Sequence, residues 1–286
     1  MAAKIIDGLR VSESIKKSLE IEISELNKKN IFPCLSTILV GNDPASATYI
    51  NNKQKTAKTI GIKTMDYRLD GETSQKDLLD LIIKLNADHD IHGILVQLPL
   101  PKHLNKFEIV NSINYNKDVD GLTLVNSGLL LNNRAKLIPC TPLGVMELLK
   151  YYDIELDGLT ATIINRSNLV GKPLATLMLE KNATVTICHS HTKNMRSTLL
   201  NSDVIVTAVG NREKFVLTAD MVSENSIIID VGTSRINGKL FGDVDFEKVK
   251  EKVAYLTPVP GGVGPMTISM LLNNTVQAAK TINHVL

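Results

Sequence analysis

On a stretch that begins at Ala45, the residues Ser46, Tyr49 and Lys53 stand at i, i+3 and i+7. A helix would put all three on one face, because residues three and four apart are neighbours there. A lysine four residues after a tyrosine can share its hydrogen bond. Where an apolar wall desolvates the ammonium, its pKa falls toward the range that moves protons near neutrality. Taken alone, the pattern is that of a solvated helix face, since Lys55 and Lys58 stand beside it. Gln97 closes an apolar run from Gly93, which would place its amide at the carboxyl edge of a sheet, where open α/β folds hold ligands. Its oxygen is then a natural acceptor for Lys53, with the NH2 turned to substrate or water. Lys117-Asp118-Val119-Asp120-Gly121 reads as a turn with Asp as side-chain acceptor. Its functional reading has one of the two carboxylates gripping the N–H groups of a heterocycle.

In the second half, Asn165-Arg166-Ser167-Asn168-Leu169-Val170-Gly171-Lys172-Pro173 follows an apolar run over 160–164 and opens a helix, the place of a dinucleotide phosphate loop. Only Gly171 remains of the Gly-x-Gly-x-x-Gly fingerprint, although Asn165 is one of the few residues that tolerates a left-handed backbone. Cys188-His189-Ser190-His191-Thr192-Lys193 holds no carboxylate for a ribose 2′-hydroxyl. Arg166, His189, Ser190 and Lys193 offer donors and positive charge instead, which favours a 2′-phosphate and hence NADP over NAD. Cys188, His189 and His191 also read as a metal tract, but no second ligand cluster stands at a suitable spacing and no metal is expected. Near the carboxyl end, Pro260-Gly261-Gly262-Val263-Gly264-Pro265-Met266-Thr267 would let a ligand touch the backbone, with Pro265 in the first turn of a helix from about Gly264. Alone, such a loop reads more readily as a connector.

These residues need elements to hold them. Val11, Ile15, Leu19, Ile23 and Leu26 recur at helical spacing and stop at Asn30. After them 35–40 reads as a buried strand, 45–60 as helix, 62–69 as strand, 78–85 as helix, and 93–97 as a strand closed by Leu98-Pro99-Leu100-Pro101. A second series follows Pro139-Cys140-Thr141-Pro142. It has helices at 143–152, 171–181 and 192–200, and strands at 160–164, 183–188, 203–208, 226–231 and 254–257. This alternation predicts an α/β protein of two three-layer αβα domains, the carboxyl-terminal one a Rossmann-like doubly wound parallel sheet, with a cleft between them. The run from Gly264 to Val285 is apolar on one face and has no strand after it, so it is expected to pack back on the first half. The expected domains are 1–140 plus 262–286, and 141–261, the latter binding NAD(P).

Composition limits the partners. Of 286 residues, 43% are hydrophobic and 22% charged, the balance of a soluble globular chain of one large or two ordinary domains. The net charge of +2, with no block of like charges, argues against nucleic-acid and membrane-surface binding, and no apolar run is long enough to span a bilayer. Cys34, Cys140 and Cys188, odd in number, widely spaced and without a secretory leader, read as reduced thiols of a cytoplasmic protein.

Together these strings resemble the methylenetetrahydrofolate dehydrogenase/methenyltetrahydrofolate cyclohydrolase family over nearly the whole chain. The marks are Val40-Gly41 and Pro44-Ala45-Ser46 with Tyr49 and Lys53, then Gln97 to Pro101, Lys117 to Gly121, and Pro139 to Pro142. Arg166-Ser167 with Val170-Gly171, Gly242-Asp243-Val244 and the Pro260 to Thr267 loop complete them. The resemblance implies NADP-dependent oxidation of 5,10-methylenetetrahydrofolate, hydrolysis of the methenyl product to 10-formyltetrahydrofolate, and a homodimer. It carries the catalytic lysine onto Lys53, its supporting groups onto Tyr49 and Gln97, and the pterin-binding carboxylate onto Asp120. Substrate-binding candidates are Ser46, Tyr49, Asp120, Pro260, Gly261 and Gly262. Cofactor-binding candidates are Asn165, Arg166, Ser167, Gly171, His189, Ser190, Thr192 and Thr233.

A largely neutral Lys53 would help water attack the methenyl carbon, whereas hydride transfer is mainly a matter of positioning. The chain departs from the family's pattern at Asn165, where glycine is common, at Leu122 and Thr123, where Phe and His are often seen, and at His191, which replaces a frequent lysine. Short-chain dehydrogenases also use Tyr-x-x-x-Lys, but their nucleotide loop precedes the tyrosine and here it follows. A monofunctional dehydrogenase and a folate-binding module without turnover are the other readings.

Overall fold

The computed structural model of the chain describes residues 2–285, apart from the Ala45 side chain. Its elements in order are β1 (Lys4–Ile5), α1 (Gly8–Lys28), β2 (Cys34–Val40), α2 (Pro44–Thr59), β3 (Lys63–Leu69), α3 (Gln75–Ala87) and β4 (Gly93–Val96). Next come α4 (Lys106–Asn111), α5 (Leu124–Leu131), α6 (Cys140–Tyr151), β5 (Thr160–Ile164), α7 (Gly171–Glu180), β6 (Thr184–Cys188) and α8 (Met195–Leu200). The chain continues through β7 (Val204–Thr207), β8 (Ile227–Asp230), β9 (Ser234–Ile236), β10 (Lys239–Phe241), α9 (Phe246–Val249), β11 (Tyr255–Leu256) and α10 (Val263–Ile282). Helix α8 begins three residues later than its apolar pattern suggests, because Asn194 turns left-handed at φ 54° in front of it.

Two compact units form. One takes Ser14–Cys140 and the chain from Ile268 on; the other takes Thr141–Thr267 and the chain up to Glu13. Residues 2–13 and 262–267 are expected in the first unit from the sequence, and hydrogen bonding joins them to the second. Lys4 and Ile5 pair in parallel with Tyr255 and Leu256, adding a strand to the larger sheet. The Gly261 carbonyl then accepts the N–H groups of Gly8 and Leu9 at 2.9 and 3.1 Å, and Thr267 meets Thr141 through their hydroxyls at 3.0 Å.

The first unit is built on a three-stranded parallel sheet in the order β3-β2-β4. All seven residues of β2 are buried, as a strand covered on both faces requires. Alternation assigns the faces. Cys34, Ile38, Val40, Ile94 and Val96 pack with Leu78, Ile82 and Leu85 of α3 and with Ile109 of α4. Leu35 and Gly93 face the other way, and Gly93 approaches Thr275 of α10 so closely that a Cβ there would lie 3.3 Å from its hydroxyl. The carboxyl-terminal helix therefore does return to this unit.

The second unit has six parallel strands in the order β1-β11-β8-β7-β5-β6. From β5 the chain steps outward to β6, then crosses to β7 and continues the other way. The switch point lies between the carboxyl ends of β5 and β7, where open α/β sheets hold ligands. Helices α8 and α9 cover the face carrying Ile205 and Ile228, and α7 packs against β5 and β6. An antiparallel hairpin, β9–β10, closes on Asn237-Gly238, both at positive φ. Among the described residues, no helix is long and apolar enough to cross a membrane.

Candidate active site

Helix α2 starts where Asp43 accepts the Ser46 N–H at 2.8 Å, with Pro44 in the first turn. Hydrogen bonds from the Ser46 hydroxyl and N–H hold the exposed Asp43 carboxyl below its ordinary value. Ser46 is thus buried and engaged with Asp43. The face it opens grades from depth to surface, with Lys53 half-buried and Tyr49 51% exposed. Next to Lys53, Gln54 donates to Thr37 of β2 at 2.8 Å and fixes the rotation of the helix on the sheet.

Lys53 Nζ donates to Gln97 Oε1 at 3.1 Å. Gln97 directly follows β4, and its N–H still bonds Ile38 of β2 at 2.9 Å, so its position is set by the sheet. The Gln97 NH2, expected to face substrate, donates instead to the Leu98 carbonyl at 2.7 Å. That bond fixes the amide so that its oxygen must face Lys53. Tyr49 makes no hydrogen bond to Lys53 among the described residues.

The Lys117 to Gly121 segment divides its work. Lys117 is buried and donates to the carbonyls of Leu85, Asn86 and Asp88 at 3.1, 2.9 and 2.6 Å, closing the end of α3. Desolvation pushes its pKa down, with Asp88 opposing. Asp118 Oδ2 accepts Thr123 N–H at 2.8 Å and Asn126 Nδ2 at 2.9 Å, and Thr123 caps α5. Asp120 instead takes a side-chain hydrogen bond from Cys140. Desolvation raises its carboxyl above the usual range, while the Lys53 charge pulls it back. Lys53, Gln97 and Asp120 therefore act on one place in this unit.

Asn274, on α10, holds that place together. Its Nδ2 donates to the carbonyls of Val119 and Ile138, both at 2.8 Å, on the two chain segments that flank Asp120 and Cys140. Cys140 Sγ bonds the Val119 carbonyl at 3.3 Å, and burial holds its thiol well above the ordinary value, next to Asp120. Cys140 is a neutral donor there. Sequence reasoning passed over Asn274; its one signal is Asn273-Asn274 interrupting an otherwise apolar helical run.

In the second unit Asn165 keeps an ordinary backbone, and its side chain does the positioning. Oδ1 accepts the N–H groups of Ser167 and Gly171 at 2.8 and 3.0 Å, while Nδ2 donates to Ala208 O, just past β7, at 2.6 Å. One amide ties both walls of the switch point. Gly171 packs so tightly that a Cβ would lie 2.1 Å from the Asn165 carbonyl. Ser167 Oγ accepts Val170 N–H at 3.1 Å. With these N–H groups engaged, anion binding falls to side chains, and Arg166 is exposed.

After β6, His189 N–H donates to Thr192 Oγ1 at 2.9 Å, and His191 N–H to His189 Nδ1 at 3.1 Å. Those two groups shape the turn, whereas Ser190 and Lys193 stand exposed at its surface. Among the described residues no three His, Cys, Asp or Glu groups cluster as a metal site. Thr233 is exposed, with its carbonyl near Gly210. The Pro260 to Gly262 stretch spends the Gly261 carbonyl on the start of α1, and its following helix begins at Val263.

Two buried aspartates brace the far wall. Asp243 accepts Val209 N–H at 2.7 Å and Gly210 N–H at 3.0 Å. Asp230 accepts Thr207 Oγ1, Asp243 N–H and Val244 N–H, each at 3.0 Å. Arg212, which the sequence did not single out, donates to the Gly242 and Val244 carbonyls at 2.6 and 2.9 Å. Desolvation raises the carboxyl of Asp243, and its backbone N–H bonds oppose the shift.

Burial likewise lifts Asp230 from 3.8 to about 6 against its three hydrogen bonds. Because the folded state keeps this proton more tightly than the unfolded chain, the contribution is present below pH 3.8 and is lost as pH rises through about 6. Urea unfolding between pH 4 and 7 should show a loss on the order of 2–3 kcal/mol from this group. In Asp230→Asn that part of the slope should vanish; an identical slope in both proteins would refute the assignment.

Two family models match the chain: "Tetrahydrofolate dehydrogenase/cyclohydrolase, catalytic domain" over residues 6–120, and "Tetrahydrofolate dehydrogenase/cyclohydrolase, NAD(P)-binding domain" over residues 139–283. The chain is 53% identical over 277 residues to the bifunctional protein FolD of Cenarchaeum symbiosum, covering 97% of this chain and 98% of that one. It is similar to the solved bifunctional FolD methylenetetrahydrofolate dehydrogenase/cyclohydrolase of Campylobacter jejuni, with TM-score 0.95 and 48% identity over 98% of this chain and 99% of the other. The Trypanosoma brucei FolD structure, complexed with NADP cofactor and inhibitor, matches with TM-score 0.93 and 36% identity over 98% of each chain.

Proposed function

The chain belongs to the tetrahydrofolate dehydrogenase/cyclohydrolase family, and from that premise we propose that Lys53, Gln97 and Asp120 hold the folate and carry the hydrolytic step. The protein is a bifunctional enzyme. It oxidises 5,10-methylenetetrahydrofolate with NADP and hydrolyses the methenyl product to 10-formyltetrahydrofolate. The observation that supports these roles is Lys53 Nζ held 3.1 Å from Gln97 Oε1, with the Asp120 carboxyl near enough to feel its charge.

In hydrolysis, water adds to the methenyl carbon, and Lys53 relays the proton that it loses. The C–N5 bond then breaks, N5 takes a proton as the new hydroxyl gives one up to become the formyl carbonyl, and one proton is released net. Gln97, fixed by its own bond to Leu98, keeps the lysine aimed. Asp120 receives the N–H groups of the pterin, and the half-exposed ring of Tyr49 offers a flat apolar surface to the rest of the folate.

Bound NADP supplies the hydride acceptor. Arg166, Ser190 and Lys193 are exposed and have no side-chain partner among the described residues, and the turn after β6 carries no carboxylate. That donor set suits a ribose 2′-phosphate. Asn165, Ser167 and Gly171 shape the loop, His189 and Thr192 the turn, and Thr233 lies beside Gly210. We assign folate to the unit of residues 14–140 and the cofactor to that of 141–267. Three buried free cysteines and the family's habit support a cytoplasmic homodimer, whose mass sedimentation would report.

Purified protein mixed with methylenetetrahydrofolate and NADP should give reduced cofactor and then 10-formyltetrahydrofolate. Folate binding without turnover would overturn the enzyme reading. Accumulating methenyl product would leave only a dehydrogenase.

A further inference from the structure

A cavity of about 420 Å³ opens in the folate-binding unit between α5, the segment after it and the last turns of α10. Its size is that of a small-molecule site, and none of the residues assigned to folate or cofactor lines it. The floor is apolar, from Leu129, Leu137 and Ala278. At the rim stand Arg134 and Lys136, both exposed and neither in an ion pair among the described residues. Asn126 also lines it, at 2% exposure. Both known bonds of its amide are donations, to Tyr115 O and to Asp118 Oδ2, each at 2.9 Å. Asn126 Oδ1 accepts from no donor among the described residues and is not sealed from solvent, so it offers a free acceptor to the cavity.

We propose that this cavity binds a small organic anion with an aromatic body and one hydrogen-bond donor, and that its occupant tunes folate binding through Asp118. The anionic group meets Arg134 and Lys136, the ring lies on Leu129 and Leu137, and the donor reaches Asn126 Oδ1. From there the path is short. Asn126 and Thr123 share Asp118 Oδ2, and Asp118 stands two residues before Asp120 in one turn. A ligand that draws on the Asn126 amide therefore shifts the turn that presents Asp120. The coupling rests on Asp120 holding the folate; the binding does not.

The probe is 8-anilinonaphthalene-1-sulfonate, an aromatic sulfonate with an N–H donor. With NADP saturating, its fluorescence should titrate to a plateau, and the double variant Arg134→Gln/Lys136→Gln should bind it about tenfold more weakly. Both side chains are exposed, so the fold tolerates their replacement. Saturating probe should move the KM for methylenetetrahydrofolate by at least about threefold in the wild type, and by less in the double variant. Equal probe affinity in the two proteins, or displacement by NADP, would overturn the site. An unmoved KM with probe bound would overturn the coupling. Turnover without probe reads the folate assignment separately.

Discussion

Lys53→Gln is expected to slow hydrolysis of the methenyl substrate by roughly a hundredfold to a thousandfold, while oxidation of the methylene substrate falls by less than about tenfold. Glutamine keeps a polar tip that can bond Gln97 Oε1, so the 3.1 Å contact is conserved in kind and only the proton chemistry is removed. Hydrolysis has to move protons from water and onto N5. Hydride transfer needs two partners held in place, which an amide in place of an amine disturbs less. Stopped-flow decay of methenyltetrahydrofolate, beside initial rates of cofactor reduction, separates the two. Equal losses in both rates, with the thermal melt unchanged, would refute the division of labour.

The second large effect falls on the cofactor. Asp243 touches no reacting atom, yet its two oxygens hold the Val209 and Gly210 N–H groups that form one wall of the β5/β7 switch point. In Asp243→Asn one oxygen becomes an NH2 facing a backbone donor. The part-buried Gly210 N–H then faces that NH2 and keeps only its longer 3.3 Å contact, at a cost of about 1–3 kcal/mol. The KM for NADP should rise about tenfold to a hundredfold, with kcat changing by less than about threefold. Hydrolysis consumes no NADP and so reports the amount of folded enzyme. A fall in both activities together, with KM for NADP unmoved, would make Asp243 purely structural.

The parts of the site written in regular periodicities were legible in the chain. A helical face carrying Lys53 and an apolar strand ending at Gln97 can be read from spacing alone, and their meeting follows from the β/α alternation. What the spacing concealed was how each polar group spends its bonds. Nothing local distinguishes Asp118 from Asp120, yet one is consumed by Thr123 and Asn126 and the other meets Cys140 and the charge of Lys53, because only the fold decides which groups come near. Asn274 and Arg212 act on carbonyls far away in sequence, and such contacts leave no period. Asn165 is a residue type that tolerates a left-handed backbone, yet it keeps an ordinary one and works through its side chain. Strand β1, only two residues long, carries too little pattern to see. The β9–β10 hairpin did announce itself, through Asn237-Gly238, and was passed over.

Both units are finished by segments from the opposite end of the polypeptide. The outermost strand, at Lys4 and Ile5, finds its neighbour only at Tyr255 and Leu256, and α10 reaches back to Val119 and to Glu22 on α1. During synthesis, then, Lys4 and Ile5 have no strand partner until residues 255 and 256 emerge, and the unit of residues 14–140 stays incompletely covered until α10 follows. Chains stalled before residue 255 should therefore be protease-sensitive in both units rather than only in their newest portion.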